Sequence, residues 1–103
     1  MMSRAFSPSR TTANISVSAS SQRVFIDSRN GPVTVRVMNN GTATVWIQGG
    51  DSTVTASTTT SLPVGPGVHE VMTFSPGENG QLWIAAIAAG STGSIYFTEG
   101  AGL

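Results

Sequence analysis

The sequence predicts an all-β protein: one small antiparallel β-sandwich of seven or eight strands, jelly-roll or immunoglobulin-like, with an extended N-terminal arm. Short runs of alternating apolar and polar residues recur along the chain, which is the period of half-buried strands. Turn residues separate these runs at intervals of about 8 to 12 residues, as in sandwiches and small barrels. Serine (14), threonine (13) and glycine (12) are abundant among the 103 residues, a composition that favours strands and turns over helices.

The first segment of the chain differs from the rest. Residues 1–13 are polar, contain Pro8 and show no sustained period of 2 or 3.6 residues. We therefore expect residues 1–13 to form an extended arm outside the core and residues 14–103 to form the sandwich domain.

In the first half of the domain, alternation predicts strands over residues 15–19, 22–27, 33–38 and 42–48. Asn39-Asn40-Gly41 separates the last two of these runs. Asn-Gly between alternating runs is a strong signal for a tight hairpin turn, because both central residues of that turn need positive φ. The sequence therefore predicts that the third and fourth strands pair as a hairpin.

In the second half, residues 52–57 are expected to form a weak, polar edge strand, and residues 58–67 a longer connection. That connection contains Pro63 and Pro66, neither of which suits a central strand. Further strands are predicted over residues 68–74, 81–88 and 94–98. The last two are expected to form a hairpin across residues 89–93.

Large aromatic residues interrupt the alternation of four predicted strands. Each stands between two aliphatic or apolar neighbours, so it must point away from the face that those neighbours share. These residues are Phe25, Trp46, Trp83 and Tyr96. Bulges in the strands could let both parities fill the core unevenly, or long loops could cover the outer face. Alternatively, the aromatics form an outer patch that other subunits bury.

The formal charge is zero, but the charges are segregated along the chain. All five arginines lie within residues 1–36 with only Asp27 against them, which gives about +4, and residues 37–103 carry −4. Arginine can simply solvate short arms and edge strands. Alternatively, the basic segment meets an acidic surface on another copy or a larger assembly. Nucleic acid is the least favoured partner, because no basic cluster is interleaved with aromatics.

Catalytic and metal-binding signatures are missing from the sequence. Cysteine is absent, His69 is the single histidine, and the five carboxylates are not spaced as a calcium loop or an acid/base pair. We expect neither an enzyme nor a cofactor or metal site. The longest apolar run, residues 82–89, is too short to span a membrane as a helix. Residues 1–13 lack a secretory apolar core, so we expect synthesis in a cytoplasm.

Three segments of the C-terminal part stand out: a proline-glycine turn into a strand (LPVGPGVHEV, 62–71), LWIAAIA (82–88), and a closing hairpin strand and tail (GSIYFTEG, 93–100). Through these segments, residues 62–102 resemble small structural proteins of tailed bacteriophage virions. The resemblance implies a β-sandwich head decoration, or cement, protein that sits on the capsid surface as a symmetric oligomer and has no catalytic residues.

The leading hypothesis is therefore a non-enzymatic virion protein that binds the outside of a phage head, through the major capsid protein or other virion subunits. It is expected to stabilise the head through its N-terminal arm, which grips the shell or a neighbouring copy, and through oligomer contacts. A dimer or trimer is expected, with no membrane partner. The candidate partner-binding residues are Arg4, Phe6, Arg10, Arg23, Arg29, Trp46, Trp83 and Tyr96. Two alternatives stay open: a receptor- or carbohydrate-binding module of a tail or fibre, with Trp46, Trp83 or Tyr96 stacking on sugars, and a head-completion or tail-tube subunit.

Overall fold

The computed structural model describes residues 6–77, 79–90 and 93–101, and this part of the chain contains nine β-strands and no helix. The strands are β1 (Ser7–Pro8), β2 (Ala13–Val17), β3 (Gln22–Ser28), β4 (Val33–Asn39), β5 (Val45–Gly50), β6 (Leu62–Val64), β7 (His69–Phe74), β8 (Gln81–Ile87) and β9 (Gly93–Ala101).

The strands form two antiparallel sheets. In sheet 1, β9 lies between β4 and the short strands β1 and β2, which share its other edge, and β7 pairs with the far side of β4. In sheet 2 the order is β3, β8, β5, β6. One apolar core between the sheets joins both, so the predicted small β-sandwich is confirmed.

Pairing between strands is nested. β5 pairs with β6, β4 with β7, β3 with β8 and β2 with β9. The chain is thus one long hairpin whose two arms are rolled across the two sheets. Its outermost partners, β2 and β9, come from opposite ends of the described sequence.

Alternation places the core as the sequence predicts. On β4 the three valines, Val33, Val35 and Val37, are fully buried, while Arg36 and Met38 between and beside them are exposed. From sheet 2, β8 contributes Leu82 and Ile84, which are also fully buried. Two valine- and isoleucine-rich faces therefore meet and remove their apolar surface from water.

Both predicted hairpins are wrong. β4 belongs to sheet 1 and β5 to sheet 2, so Asn39-Asn40-Gly41 begins a connection between sheets; neither Asn40 nor Gly41 has the positive φ of a tight hairpin turn. The predicted pairing of the last two strands fails likewise, because β8 lies in sheet 2 and β9 in sheet 1. Both strands find their partners at long range.

The segment between β5 and β6 also differs from the prediction. Residues 52–57 form no strand and belong to a bridging loop, residues 51–61, that packs on the outer face of sheet 2. Within the predicted connection, Leu62–Val64 forms β6, and Pro63 is tolerated there because β6 is the edge of its sheet.

An extended arm is not evident in the described part of residues 1–13. Ser7 and Pro8 pair with Ala101 and Gly100 of β9, and the backbone N–H of Ser9 donates to the carbonyl of Glu99 at 2.8 Å. Ala13 already belongs to β2. This segment therefore lies along the edge of sheet 1 as part of the fold.

Candidate functional site

Four charged side chains converge at the edge of the sandwich where β2 and β3 face each other; we call them the charged cluster. Arg10 Nη1 lies 3.3 Å from Asp27 Oδ1, and Arg10 Nε lies 3.6 Å from Glu99 Oε1. Arg29 Nη1 lies 3.3 Å from Glu99 Oε2. The cluster joins the N-terminal segment, the end of β3 and β9.

Glu99 is the unusual member, because its side chain is only 6% exposed while both arginines are half exposed. Its backbone position on β9, opposite the buried Val35, turns the carboxyl group inward. Among the described residues, Oε1 of Glu99 receives no hydrogen bond from any donor. The nearest cation is Arg10 Nε at 3.6 Å, beyond hydrogen-bond distance, and a buried carboxylate oxygen without a hydrogen bond is costly.

The surroundings shift the pKa values of the two carboxyl groups, Glu99 and Asp27, in opposite directions. Burial raises the pKa of Glu99, and the adjacent Asp27 raises it further, against the attraction of Arg10 and Arg29. For Asp27, burial also acts to raise the pKa, but its hydrogen bonds with Glu99 and the Ser28 N–H, together with both arginines, lower it overall. The surroundings therefore favour the protonated form of Glu99 and the ionised form of Asp27.

The outer face of sheet 2 carries three of the four aromatics that the sequence singles out. Phe25 is 39% exposed and contacts Trp83 edge to face, with ring centroids 5.6 Å apart. Trp46 lies farther along the same face, opposite Ile87 and Pro63. The prediction that these rings point away from the core is confirmed.

The bridging loop covers part of this face. Val54 packs over Gly50, where an added Cβ would meet Val54 atoms at 3.0 Å. Farther along, the N–H of Ala56 donates to Ser21 Oγ at 2.9 Å. Trp46 and Trp83 are accordingly half-buried. Loop cover, one of the explanations for outward aromatics, therefore accounts for part of the face and leaves Phe25 the most exposed of the three rings.

Tyr96 lies on the opposite side of the molecule, on the outer face of sheet 1. Its register neighbours are Asn14 on β2 and Met38 on β4, and Met38 is 38% exposed. Arg36 precedes Met38 by two residues, so it lies on the same face, and its register neighbour on β9 is Thr98. The four aromatics thus form two separate surfaces, not one patch.

The fold scatters the other candidate residues. Arg10 and Arg29 meet in the charged cluster, Arg23 is exposed on the outer face of sheet 2, and Phe6 lines a cleft beside Arg36. Arg4 lies outside the described residues. Sequence reasoning missed Glu99, Asp27, Arg36 and Met38; only the strict alternation of β9, which places residue 99 on the inward parity, could have signalled Glu99.

The part of the chain that the structure describes contains no cluster of three or more histidine or carboxylate side chains that could bind a metal ion. His69 is exposed on edge strand β7, opposite Met38. No helix in the described ranges could cross a membrane.

Comparisons with protein families, with curated proteins and with solved structures find no match for this chain.

Proposed function

We propose that this protein is a non-enzymatic structural component of a virion, a decoration protein that binds the outside of a phage head shell and stabilises it. We infer that the sandwich is a jelly roll, because the nested order of pairs is the one that a rolled hairpin of eight strands makes. Jelly rolls occur among viral capsid and lectin domains.

The observation that carries the proposal is the outer face of sheet 2. Phe25, Trp46 and Trp83 point outward there and stay partly exposed even after the bridging loop has packed. An apolar surface of this kind on a small domain with 10% charged residues marks an interaction site. Arg23 lies two residues before Phe25 on β3 and therefore on the same face, where it places a positive charge beside the aromatic rings.

The roles of the basic residues change under this proposal. Arg10 binds Asp27 and Glu99 and so holds the N-terminal segment against the domain, and Arg29 binds Glu99. The proposed shell contacts are therefore Phe25, Trp46, Trp83 and Arg23, with Arg4 as a further contact from the N-terminal segment; Phe6 lies beside Arg36 on the other face and is not among them. We expect the protein to act as a dimer or trimer on the virion head and to be made in the host cytoplasm.

A pair of matched variants tests the proposal. Phe25→Ser and Met38→Ser each remove a large apolar side chain of nearly equal exposure, 39% and 38%, from opposite faces. The assay adds purified protein to empty shells of the virus that carries this gene and reads occupancy by electron microscopy and shell heat resistance by light scattering. Wild type and Met38→Ser should fill the shell and raise its heat resistance, and Phe25→Ser should lose most of its occupancy.

Three outcomes would contradict it. Wild-type protein that leaves shells bare is not a decoration protein. Rings or tubes of the purified protein alone would favour a tail-tube or head-completion subunit. Full occupancy by Phe25→Ser, with loss in Met38→Ser, would move the shell contact to sheet 1.

A further inference from the structure

Arg36 differs from the other described arginines because it has no ion pair or electrostatic partner among the described carboxylates. Arg10 and Arg29 are ion-paired, and Arg23 lies close enough to Asp51 to interact with it electrostatically. Arg36 stands in the middle of β4, and its neighbours across the sheet are Thr98 and Val71. Within the described ranges no carboxylate lies within ion-pairing distance of its guanidinium.

Two open clefts flank Arg36, and we call them together the Arg36 groove. One, of about 310 Å³, is also lined by Met38 and Tyr96; the other, of about 520 Å³, is also lined by Phe6 and Pro8. Both clefts include Thr12 and Thr98 as well as Arg36, so they adjoin at these three residues. Their volumes lie in the range of small-ligand sites.

The groove presents three kinds of group to a ligand. Arg36 offers the planar pair of N–H donors that binds a carboxylate through two parallel hydrogen bonds. Thr12 and Thr98 hydroxyls are hydrogen-bonded to each other at 2.7 Å and keep further donor or acceptor capacity toward the groove. Tyr96 and Met38 supply an apolar surface beside them. A ring-shaped ligand with a carboxylate, hydroxyls and an apolar face matches this set.

A sugar acid fits the groove better than an acidic peptide. Extended peptides bind sheets chiefly by adding a strand to a free edge, where the main chain supplies hydrogen bonds. The floor of the groove is β4 and β9, and each is paired on both sides, so the backbone of neither strand is free to receive a peptide strand. Recognition here depends on side chains alone.

We propose that the Arg36 groove binds a carboxylate-bearing sugar, of the hexuronic acid class found in anionic polysaccharides. Arg36 binds the carboxylate, the Thr12 and Thr98 hydroxyls bind ring hydroxyls, and Tyr96 packs on the CH face of the ring. This binding goes beyond the proposed shell contact and uses the opposite face of the molecule.

The test is calorimetric titration of the purified full chain with trigalacturonate and, as the neutral counterpart, with a galactose trisaccharide. The acidic probe should bind at least tenfold more tightly than the neutral one, and its affinity should fall as salt is raised. Arg36→Gln should lose at least tenfold in affinity, and Arg36→Lys should keep part of the binding. Arg23→Gln, which removes an exposed arginine from the other sheet, should bind like wild type.

Loss of the difference between the two trisaccharides would overturn the proposal, as would unchanged binding by Arg36→Gln. Failure of trigalacturonate to bind at millimolar concentration would overturn it too. Polyglutamate that binds more tightly than trigalacturonate and depends equally on Arg36 would replace the sugar by an acidic protein segment. Because no shells are present in this assay, its failure leaves the decoration role to be judged by shell occupancy alone.

Discussion

Asn39 is the best-connected buried polar side chain in the described structure. It is fully buried at the end of β4, and its Nδ2 donates to the carbonyls of Ala43 at 2.9 Å and Val64 at 3.0 Å. Its Oδ1 accepts from the N–H of Gly41 at 2.9 Å. One amide thus fixes both the exit from β4 and the end of β6, which belong to different sheets. This role needs an amide, because only an amide offers two donors and an acceptor in one plane.

Replacing Asn39 should therefore destabilise the whole domain. Asn39→Ala leaves the buried Val64 carbonyl without this donor and removes the side-chain bonds to the Ala43 carbonyl and the Gly41 N–H, so we expect a loss of about 2 to 3 kcal/mol in the free energy of unfolding. Asn39→Asp should cost at least as much, because its carboxylate faces two carbonyl oxygens. Urea denaturation measures both, with the exposed neighbour Asn40→Ala as the control. Equal stability of Asn39→Ala and Asn40→Ala would show that these bonds contribute nothing net.

The raised pKa of Glu99 predicts that the free energy of unfolding falls as pH rises through the mildly acidic range. Its pKa is raised in the folded state by burial and by Asp27, so over the interval between its ordinary and raised values the folded state holds more protons than the unfolded chain. The free energy of unfolding must then fall as pH rises through that interval. Asp27 acts in the opposite sense, and its contribution is lost only as pH falls below its ordinary range.

The measurement is urea denaturation from about pH 4 to pH 8. Wild type should be more stable at the mildly acidic end, and Glu99→Gln should remove most of this slope because a neutral amide takes the place of the titrating group. Glu70→Gln, at an exposed carboxylate of β7, is the control and should keep the wild-type slope. A wild-type curve that rises across this range would refute the assignment of the proton to Glu99.

The sequence predicts where most strands lie but not which strands pair, and the reason is physical. Alternation of Val33, Val35 and Val37 identifies β4 correctly, because the period of 2 is a property of each strand alone. Pairing depends on segments far apart in sequence, and the nested order removes all local hairpins except β5 with β6. The Asn40-Gly41 signal therefore misled, since a chain crossing between sheets also needs a polar, compact turn.

The bridging loop shows the same limit. Residues 52–57 alternate like a strand, but their apolar members pack on the face of sheet 2 and the edge beside β5 is taken by β6. For the candidate site, outward parity of the aromatics was predictable from neighbours in sequence. Which sheet each occupies was not, because Tyr96 and Trp83 reach opposite faces through the pairing of their strands.

Packing between elements is tightest where the β7–β8 turn meets the bridging loop. A Cβ added at Gly77 would lie 2.5 Å from the Cβ of Asp51 and 3.0 Å from its backbone N and Cα. The Gly77 N–H also donates to the Gln81 carbonyl at 2.9 Å, which restricts movement of the turn. Neither backbone can move away easily.

Gly77→Ala should accordingly destabilise the fold by about 1 to 3 kcal/mol through overpacking. Gly31→Ala is the matched control: no atom lies within 4 Å of its added Cβ, and its φ is not in the left-handed region. That control should be neutral or slightly stabilising, because alanine lowers the entropy of the unfolded chain. Thermal unfolding separates the two variants. A Gly77→Ala protein as stable as Gly31→Ala would mean that the turn is free to shift.

At the scale of the whole molecule, the fold brings the two charge-segregated parts of the chain together. Arg10, Asp27 and Arg29 come from the basic first third, and Glu99 comes from the acidic remainder. Two of the arginines that favoured an acidic partner, Arg10 and Arg29, are therefore already paired with carboxylates of the same chain. Arg36 makes no ion pair with any described residue, which is why it, and not Arg10 of the N-terminal segment, is the stronger candidate for an acidic ligand.

Nested pairing also predicts how the protein folds. Contacts between β2 and β9 close a loop of most of the chain, and long-range pairing of this kind slows folding into the millisecond to second range. The segment before β2 adds to this outermost pair through β1 and Arg10, so we expect its contacts to form after the transition state.

Deleting residues 1–10 should then accelerate unfolding and leave the folding rate nearly unchanged, because interactions absent from the transition state affect mainly the unfolding rate. A loss of about 1 to 2 kcal/mol would raise the unfolding rate roughly 5- to 30-fold. Arg10→Gln, which keeps β1 but removes the ion pairs, should give a smaller acceleration, since half-exposed ion pairs contribute little. Stopped-flow chevron plots in urea measure both arms. If the deletion slows folding as much as it speeds unfolding, the N-terminal segment docks before the barrier, and the order of closure argued from the nested pairs is wrong.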